Sequence, residues 1–166
     1  MKLEIAIIVM LVNALACATT GDIPVVKQSE ETAKVLSESL ISILKKITIT
    51  EKVTVAIMPF GGPKGKPTTF GKKMADLIQA KLLGYQWILV ERNRIDSIIK
   101  EKTLITAGVI EEKNFIEIGT IMGADYAITG TTYYGKKALV VAKIIDISTG
   151  TVVGMAQVYI DFRDYE

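Results

Sequence analysis

Helical and strand-like hydrophobic patterns alternate through the first two-thirds of this sequence, and three strand-like patterns follow one another in the last third. The helical patterns, with apolar residues spaced along one helix face, cover residues 28–46, 68–82, 93–99 and 111–122. The strand patterns, rich in β-branched and other apolar residues, cover residues 53–58, 87–90, 126–132, 139–147 and 152–162.

This order of elements predicts a single α/β (α+β) domain. Strands that alternate with helices pair in parallel, whereas consecutive strands joined by tight turns pair in antiparallel. We therefore expect a mixed sheet of about five strands with helices packed on it and a C-terminal antiparallel meander. Gly135 and Gly150 lie in the two predicted hairpin turns, where we expect positive φ angles.

The N-terminus has the pattern of an export signal. An apolar run at residues 5–12 is too short to span a membrane as a helix. It is followed by Ala-Leu-Ala at residues 14–16, which is typical of a signal-peptidase site, and then by Cys17. These last steps resemble a bacterial lipobox, in which the cysteine is acylated and becomes the first residue of the mature protein.

The predicted division of the chain is a signal peptide at residues 1–16, a tether at residues 17–27 and a periplasmic domain at residues 28–166. Lipidation of Cys17 would attach the protein to the periplasmic side of the envelope. Ala18 stands where inner-membrane lipoproteins carry aspartate, so the resemblance favours the outer membrane. The alternatives are an ordinary secretory signal cut before a free Cys17, or an uncleaved N-terminal anchor.

Residue types that catalyse reactions or bind metals are scarce. The chain has no histidine and one cysteine, which excludes imidazole bases, Cys–His nucleophiles, intrachain disulfides and thiolate metal clusters. The net charge is only +2, and the basic residues are scattered among acidic ones, unlike the basic stripe of a nucleic-acid-binding protein. We therefore expect no enzyme activity, no cofactor, no metal site and no nucleic-acid partner.

Four short motifs occur in order between residues 53 and 162. Residues 55–60 read Val-Ala-Ile-Met-Pro-Phe, and residues 90–92 read Val-Glu-Arg. Residues 117–130 include Gly-Ala-Asp-Tyr, and residues 146–150 read Asp-Ile-Ser-Thr-Gly. Together they resemble CsgG-type proteins, the lipoproteins of the curli secretion channel.

This resemblance implies an envelope protein that works without catalysis, related to FlgO-type and LpoB-type lipoproteins. The implied function is that of an envelope-anchored periplasmic lipoprotein, an assembly or scaffold component that contacts other envelope proteins. Self-association into a homo-oligomer is left open. The alternative is a subunit of a curli-type secretion channel in the outer membrane.

A channel subunit of this type inserts transmembrane β-hairpins, which need paired strands of about 9–11 residues with an alternating lipid-facing side. No such pair is predicted before Tyr126. The hairpin at residues 139–162 is long enough, but it contains Lys143, Asp146 and Asp161 and is needed for the core sheet. We therefore expect the periplasmic domain without pore-forming hairpins.

The loop of residues 61–69 is rich in glycine, proline and lysine, which invites a phosphate-binding interpretation. A P-loop requires G-x-x-x-x-G-K-[ST], and no register of this loop satisfies that spacing. Pro67 also removes an N–H group. Lys64 and Lys66 beside a helix N-terminus could attract an anion, and the alternatives are a protein-docking loop or simply a solvated loop. A nucleotide- or anion-binding enzyme that uses this loop is the third functional alternative.

Two adjacent tyrosines, Tyr133 and Tyr134, lie at a predicted hairpin tip. One of two neighbours on a strand must face outward, and tyrosine combines a large apolar area with a polar tip. We therefore predict an interface at this pair, although tyrosines also occur on any half-exposed sheet.

Two charged residues, Glu91 and Arg92, directly follow a buried strand. No second carboxylate or base is predicted beside them. We therefore predict that they stabilise the strand-to-helix turn through a salt bridge or a backbone hydrogen bond.

Overall fold

The computed structural model describes residues 25–26, 29–48, 52–105 and 112–161. The predicted signal peptide, Cys17 and most of the predicted tether lie outside these ranges. Every structural statement that follows concerns the described residues.

Four helices and six strands make up the described fold. The helices are α1 (Ser29–Ile47), α2 (Thr69–Leu82), α3 (Arg92–Ile105) and α4 (Glu112–Met122). The strands are β1 (Val25–Val26), β2 (Thr54–Ile57), β3 (Ile88–Leu89), β4 (Tyr126–Tyr133), β5 (Ala138–Asp146) and β6 (Val152–Ile160).

One mixed sheet contains all six strands, in the order β1-β6-β5-β4-β2-β3. The early strands β2, β3 and β4 pair in parallel, and β4, β5 and β6 form an antiparallel meander. The predicted α/β fold with a mixed sheet and a C-terminal meander is therefore confirmed. The short strand β1, which pairs in parallel with the end of β6, was not predicted.

Helices α1 and α2 cover one face of the sheet along its length. Leu36, Leu40 and Leu44 of α1 follow a four-residue spacing and are fully buried. They belong to one core cluster with alternate residues of β5, including Val140 and Ile144. Burial of each leucine contributes about 1.5–3 kcal/mol, so this layer supplies most of the hydrophobic stabilisation.

Helices α3 and α4 cover only part of the opposite face. Their buried residues, among them Ile95 and Ile118, form a second cluster with Ala56 of β2 and Ala127 of β4. Helix α4 packs on β4, and neither helix makes an extensive contact with β5 or β6. The sheet is therefore covered on one side and partly open on the other.

The turns agree in part with the prediction. Gly150 has a φ angle of 69°, as expected for the β5–β6 turn, and the carboxylate of Asp146 accepts hydrogen bonds from the N–H groups of Ser148 and Thr149. Gly135 does not adopt a positive φ angle, so that prediction was wrong. The β4–β5 connection spans four residues, between Tyr133 and Ala138, which relaxes the demand of a two-residue turn for left-handed backbone.

No helix within the described residues combines the length and the hydropathy needed to cross a membrane.

Candidate protein-binding groove and open sheet face

The glycine-rich loop after β2 continues the sheet before it turns. The N–H of Gly61 donates to the carbonyl of Gly130 at 2.9 Å, and the N–H of Thr132 donates to the carbonyl of Gly61 at 2.9 Å. The chain then folds back on itself, because the N–H of Gly62 donates to Lys66 O at 2.9 Å. Gly65, with a φ angle of 74°, follows the turn residues, as in a three-residue hairpin loop.

These internal hydrogen bonds decide what the loop backbone can bind. The N–H groups of Gly61, Gly62 and Gly65 all donate to carbonyl groups of the protein, and prolines at 63 and 67 have none. A P-loop wraps phosphates with successive free N–H groups. This loop has no two successive residues whose N–H groups are free for such contacts, so its binding capacity lies in its side chains.

A groove of about 460 Å³ lies between this loop, α4 and strands β4 and β5. Lys64 and Tyr133, which were singled out separately in the sequence, line this same groove. Lys66 and Tyr134 do not line it, although both are exposed. The complete lining is Pro59, Gly61, Gly62, Pro63, Lys64, Gly65, Pro67, Phe115, Thr129, Gly130, Thr131, Tyr133 and Lys143.

The groove opens onto the part of the sheet that α3 and α4 leave uncovered. On β5, Val140 and Ala142 are fully buried against α1 and α2, whereas their neighbours Leu139, Val141 and Lys143 are only half-buried. We call the uncovered surface the open face. Its residues are Thr131 and Tyr133 of β4, Leu139, Val141 and Lys143 of β5, and Met155, Gln157 and Tyr159 of β6.

The open face contains one charged residue, Lys143. Cross-strand pairing places Val141 opposite Gln157 and Leu139 opposite Tyr159. Met155 is 51% exposed and Tyr133 is 48% exposed. Apolar side chains thus form a row along the strands, with polar groups at intervals, as in the surface of a protein–protein interface.

The polar side chains of the groove are lysines and hydroxyl groups. Its lining contains Lys64, Lys143 and the hydroxyl groups of Thr129, Thr131 and Tyr133, and it contains no carboxylate, imidazole or thiol. Across the described residues, no group of three acidic or cysteine side chains could hold a metal ion. These cationic groups and hydroxyl donors suit the recognition of an acceptor-rich or acidic surface.

Glu91 and Arg92 stabilise the strand-to-helix turn, as predicted. Arg92 Nη1 donates to the carbonyl of Ile57 at 2.9 Å, and its guanidinium pairs with Asp76 at 3.1 Å and Asp96 at 3.3 Å. The carboxylate of Glu91 accepts hydrogen bonds from two N–H groups in the first turn of α3. These bonds lower the pKa of Glu91 below its usual value.

A second cleft at the opposite end of the sheet contains the carboxylates of Asp125 and Asp146. Asp125 Oδ2 accepts a hydrogen bond from the N–H of Thr54 at 2.7 Å. Asp146 Oδ1 accepts from the hydroxyl of Ser148 at 2.7 Å. Both carboxylates therefore bind the protein's own backbone and turn, which gives them a structural role.

The sequence did not single out Phe115 or assign Lys143 to a site. Both line the groove, although 27 residues lie between them along the chain (116–142). A lysine within the apolar run of β5 was the one available signal, since it marks the side of the strand that faces away from the core.

The described residues form an α/β domain whose mixed sheet has one covered face and one partly open face. The sequence matches the family model described as "Curli production assembly/transport component CsgG" over residues 37–138, and the chain therefore belongs to the CsgG family. The resemblance noted in its motifs is thereby confirmed. No match is found among the sequences of curated proteins.

Two solved structures share the fold at low sequence identity. The LpoB C-terminal domain from Escherichia coli aligns with a TM-score of 0.57 and 11% identity, covering 76% of this chain and 96% of that domain. The lipoprotein GNA1162 from Neisseria meningitidis aligns with a TM-score of 0.51 and 14% identity, covering 69% of this chain and 84% of that protein. At such identities the likeness concerns the fold alone.

Proposed function

We propose that this protein is an exported lipoprotein that acts as an assembly or scaffold component of the bacterial envelope through protein–protein contacts. In this proposal Cys17 carries the lipid, and the domain lies on the periplasmic side of the outer membrane. Membership of the CsgG family supports an assembly role. The likeness in fold to a protein named as a lipoprotein supports the envelope location.

The open face is the observation that carries the proposed mode of action. Strands β5 and β6 bury one side under α1 and leave apolar residues such as Val141 and Met155 accessible on the other. Exposed apolar side chains bordered by polar residues are typical of protein-binding surfaces. We propose that a partner protein packs on the open face and inserts a side chain into the adjacent groove, beside Thr131 and Lys143.

Site-specific photo-crosslinking in living cells tests this contact. A photoreactive amino acid replaces Met155 on the open face or, as a matched control, Leu83, which is 68% exposed beyond the end of α2. We expect a discrete adduct from position 155 that is absent from position 83. The substitution Val141→Glu in the same strand pair should abolish that adduct because it places a charge in the contact.

The proposal fails if position 155 gives no adduct, or if both positions give the same adducts. It also fails if Val141→Glu, in a chain that remains folded, leaves the adduct unchanged.

A secretion-channel subunit is the second candidate, because the family description includes transport as well as assembly. Dye release from liposomes separates the two functions. A scaffold component leaves the dye enclosed, whereas channel activity releases it at a rate that rises with protein concentration.

A further inference from the structure

Two lysine-bearing loops project from the same end of the sheet. Gly61 pairs with Thr131 near the end of β4, so the loop of residues 62–66 extends beyond that end. The β4–β5 connection, residues 134–137, begins where β4 stops. We call this end the lysine end. Its four loop lysines, all exposed, are Lys64, Lys66, Lys136 and Lys137.

The N-terminal part of the chain joins the fold at this same end. Val26 of β1 pairs with Ile160 of β6, and Ile160 pairs with Ala138, the first residue of β5 after the lysine-bearing connection. From Cys17 to Val25 the chain advances eight residues (25 − 17), which span at most about 29 Å when fully extended. A lipid on Cys17 would therefore keep the lysine end within reach of the membrane.

The composition of the lysine end suits a lipid surface. Neither loop contains an acidic residue. Tyr134, the first residue of the β4–β5 connection, is 57% exposed, and tyrosine is favoured at membrane–water boundaries because its ring is amphipathic. Two acidic residues, Glu30 and Glu31, lie at this end where α1 begins. The charge of Glu30 is already balanced by Lys73 at 3.3 Å, so the loop lysines dominate the charge of this end.

We propose that the lysine end lies on the membrane and binds the anionic headgroups of phospholipids. The four lysines supply the attraction, which acts over about 8 Å at physiological salt. Tyr134 lies at the headgroup level. The open face runs along the strands away from this end, so it remains accessible to a partner protein. The inference rests on the proposed tether for its orientation, while the binding of headgroups belongs to the lysines themselves.

Lysine acetylation footprinting of the full chain on vesicles tests the proposal. The chain is bound either to vesicles of phosphatidylcholine alone or to vesicles containing phosphatidylglycerol, and acetylation is quantified by mass spectrometry. We expect the four lysines of the lysine end to lose labelling several-fold on phosphatidylglycerol. Lys46 and Lys81 are exposed in the last turns of α1 and α2, away from the lysine end, and should be labelled equally on both kinds of vesicle.

Charge reversal provides the matched variants. Lys136→Glu with Lys137→Glu should remove the protection of Lys64 and Lys66, whereas Lys46→Glu with Lys81→Glu should preserve it. Raising the salt concentration should restore labelling in the unmodified chain, since the attraction is screened.

Equal labelling on both vesicle types overturns the proposal, as does protection that resists salt. Protection that appears only in native membranes containing other proteins also overturns it, in favour of protein docking. The same comparison with Cys17→Ala separates this inference from the proposed lipidation. If that variant loses the acyl mass and still shows phosphatidylglycerol-dependent protection, the tether and the headgroup contact are both supported as separate properties. If the wild-type chain carries no acyl mass, the lipidation fails while the footprint still decides the lysine end.

Discussion

Asp125 and Thr54 exchange two hydrogen bonds where β4 and β2 begin. The N–H of Thr54 donates to Asp125 Oδ2 at 2.7 Å, and the N–H of Asp125 donates to the carbonyl of Thr54 at 2.8 Å. The aspartate of the Gly-Ala-Asp-Tyr motif thus helps to set the register between β2 and β4.

Asp125→Ala should lower the free energy of unfolding by about 1 kcal/mol, because the charged acceptor of the Thr54 N–H is lost at an exposed position. Urea unfolding monitored by circular dichroism measures this change. Glu38→Ala, an exposed substitution on α1, is the control and should change stability little. Equal midpoints for the two variants would show that the hydrogen bond contributes nothing.

Gly71→Ala should destabilise the fold strongly, by about 3 kcal/mol or more. A Cβ at Gly71 would lie 1.7 Å from the backbone oxygen of Phe60. Phe60 cannot move away easily, because its side chain is buried and its N–H donates a hydrogen bond to Gly71 O. Gly84→Ala is the matched control, because a Cβ there has no neighbour within 4 Å. It should be neutral or stabilising by up to about 1 kcal/mol. Thermal unfolding of both variants checks the pair.

The pH dependence of stability should reflect Glu91 and Asp146. N–H donors from Asn93 and Arg94 lower the pKa of Glu91 below 4.5, and the Ser148 hydroxyl, then the Thr149 N–H, lower that of Asp146 below 3.8. A carboxyl group with a lowered folded-state pKa contributes stability that is complete above its unfolded-state pKa. That contribution is lost as the pH falls through the folded-state value.

We therefore expect a plateau in the free energy of unfolding near neutral pH and a decline below about pH 4. The double substitution Glu91→Gln with Asp146→Asn should flatten that decline, while Glu38→Gln should leave it unchanged. Urea titrations at pH 7 and pH 3 measure the difference. An identical decline in all three chains would assign the acid sensitivity to other groups.

Much of the fold follows from short-range patterns. The spacing of Leu36, Leu40 and Leu44 predicts the buried side of α1 without knowledge of its neighbours. Thr68 caps α2, because its hydroxyl accepts a hydrogen bond from the N–H of Gly71 at 2.9 Å. The two-residue strand β1 could not be predicted, because Val25 and Val26 are too few to show a period of two.

The site was less accessible from the sequence. β5 is apolar at almost every position, so alternation does not show which side a helix covers. That depends on where α3 and α4 pack, a long-range property. The hairpin tip and the glycine-rich loop were found from turn residues. That Lys64 and Tyr133 line one groove depends on the parallel pairing of the segment after β2 with β4.

Opposite sides of β5 should respond differently to the same substitution. Val140→Asp places a charge in the core under α1 and should abolish folding, whereas Val141→Asp falls on the open face and should leave the domain folded. Under the proposed function, Val141→Asp should also remove the crosslink from position 155. Circular dichroism and the in-cell crosslink measure the two properties. A folded Val140→Asp chain would contradict the structure.

Lipidation of Cys17 should be visible as added mass on the processed N-terminal peptide. Cys17→Ala should abolish the acyl mass, and at high salt, where the lysine contacts are screened, it should also release the protein from the membrane fraction, while the folded domain keeps its circular dichroism spectrum. Intact-protein mass spectrometry of membrane extracts measures the first change. A full-length, unmodified N-terminus in membranes would contradict the proposal and favour an uncleaved anchor.

Because helices cover only one side of β5 and β6, neighbouring residues in these strands are under different selective pressures. Alternate residues in these strands pack in the core, so core packing constrains their identity. The residues between them lie on the open face, where a binding partner would constrain them. A lineage can therefore exchange one binding partner for another by altering alternate codons, with the scaffold intact. Amino-acid substitutions within such a family should therefore be concentrated at alternate positions of these strands.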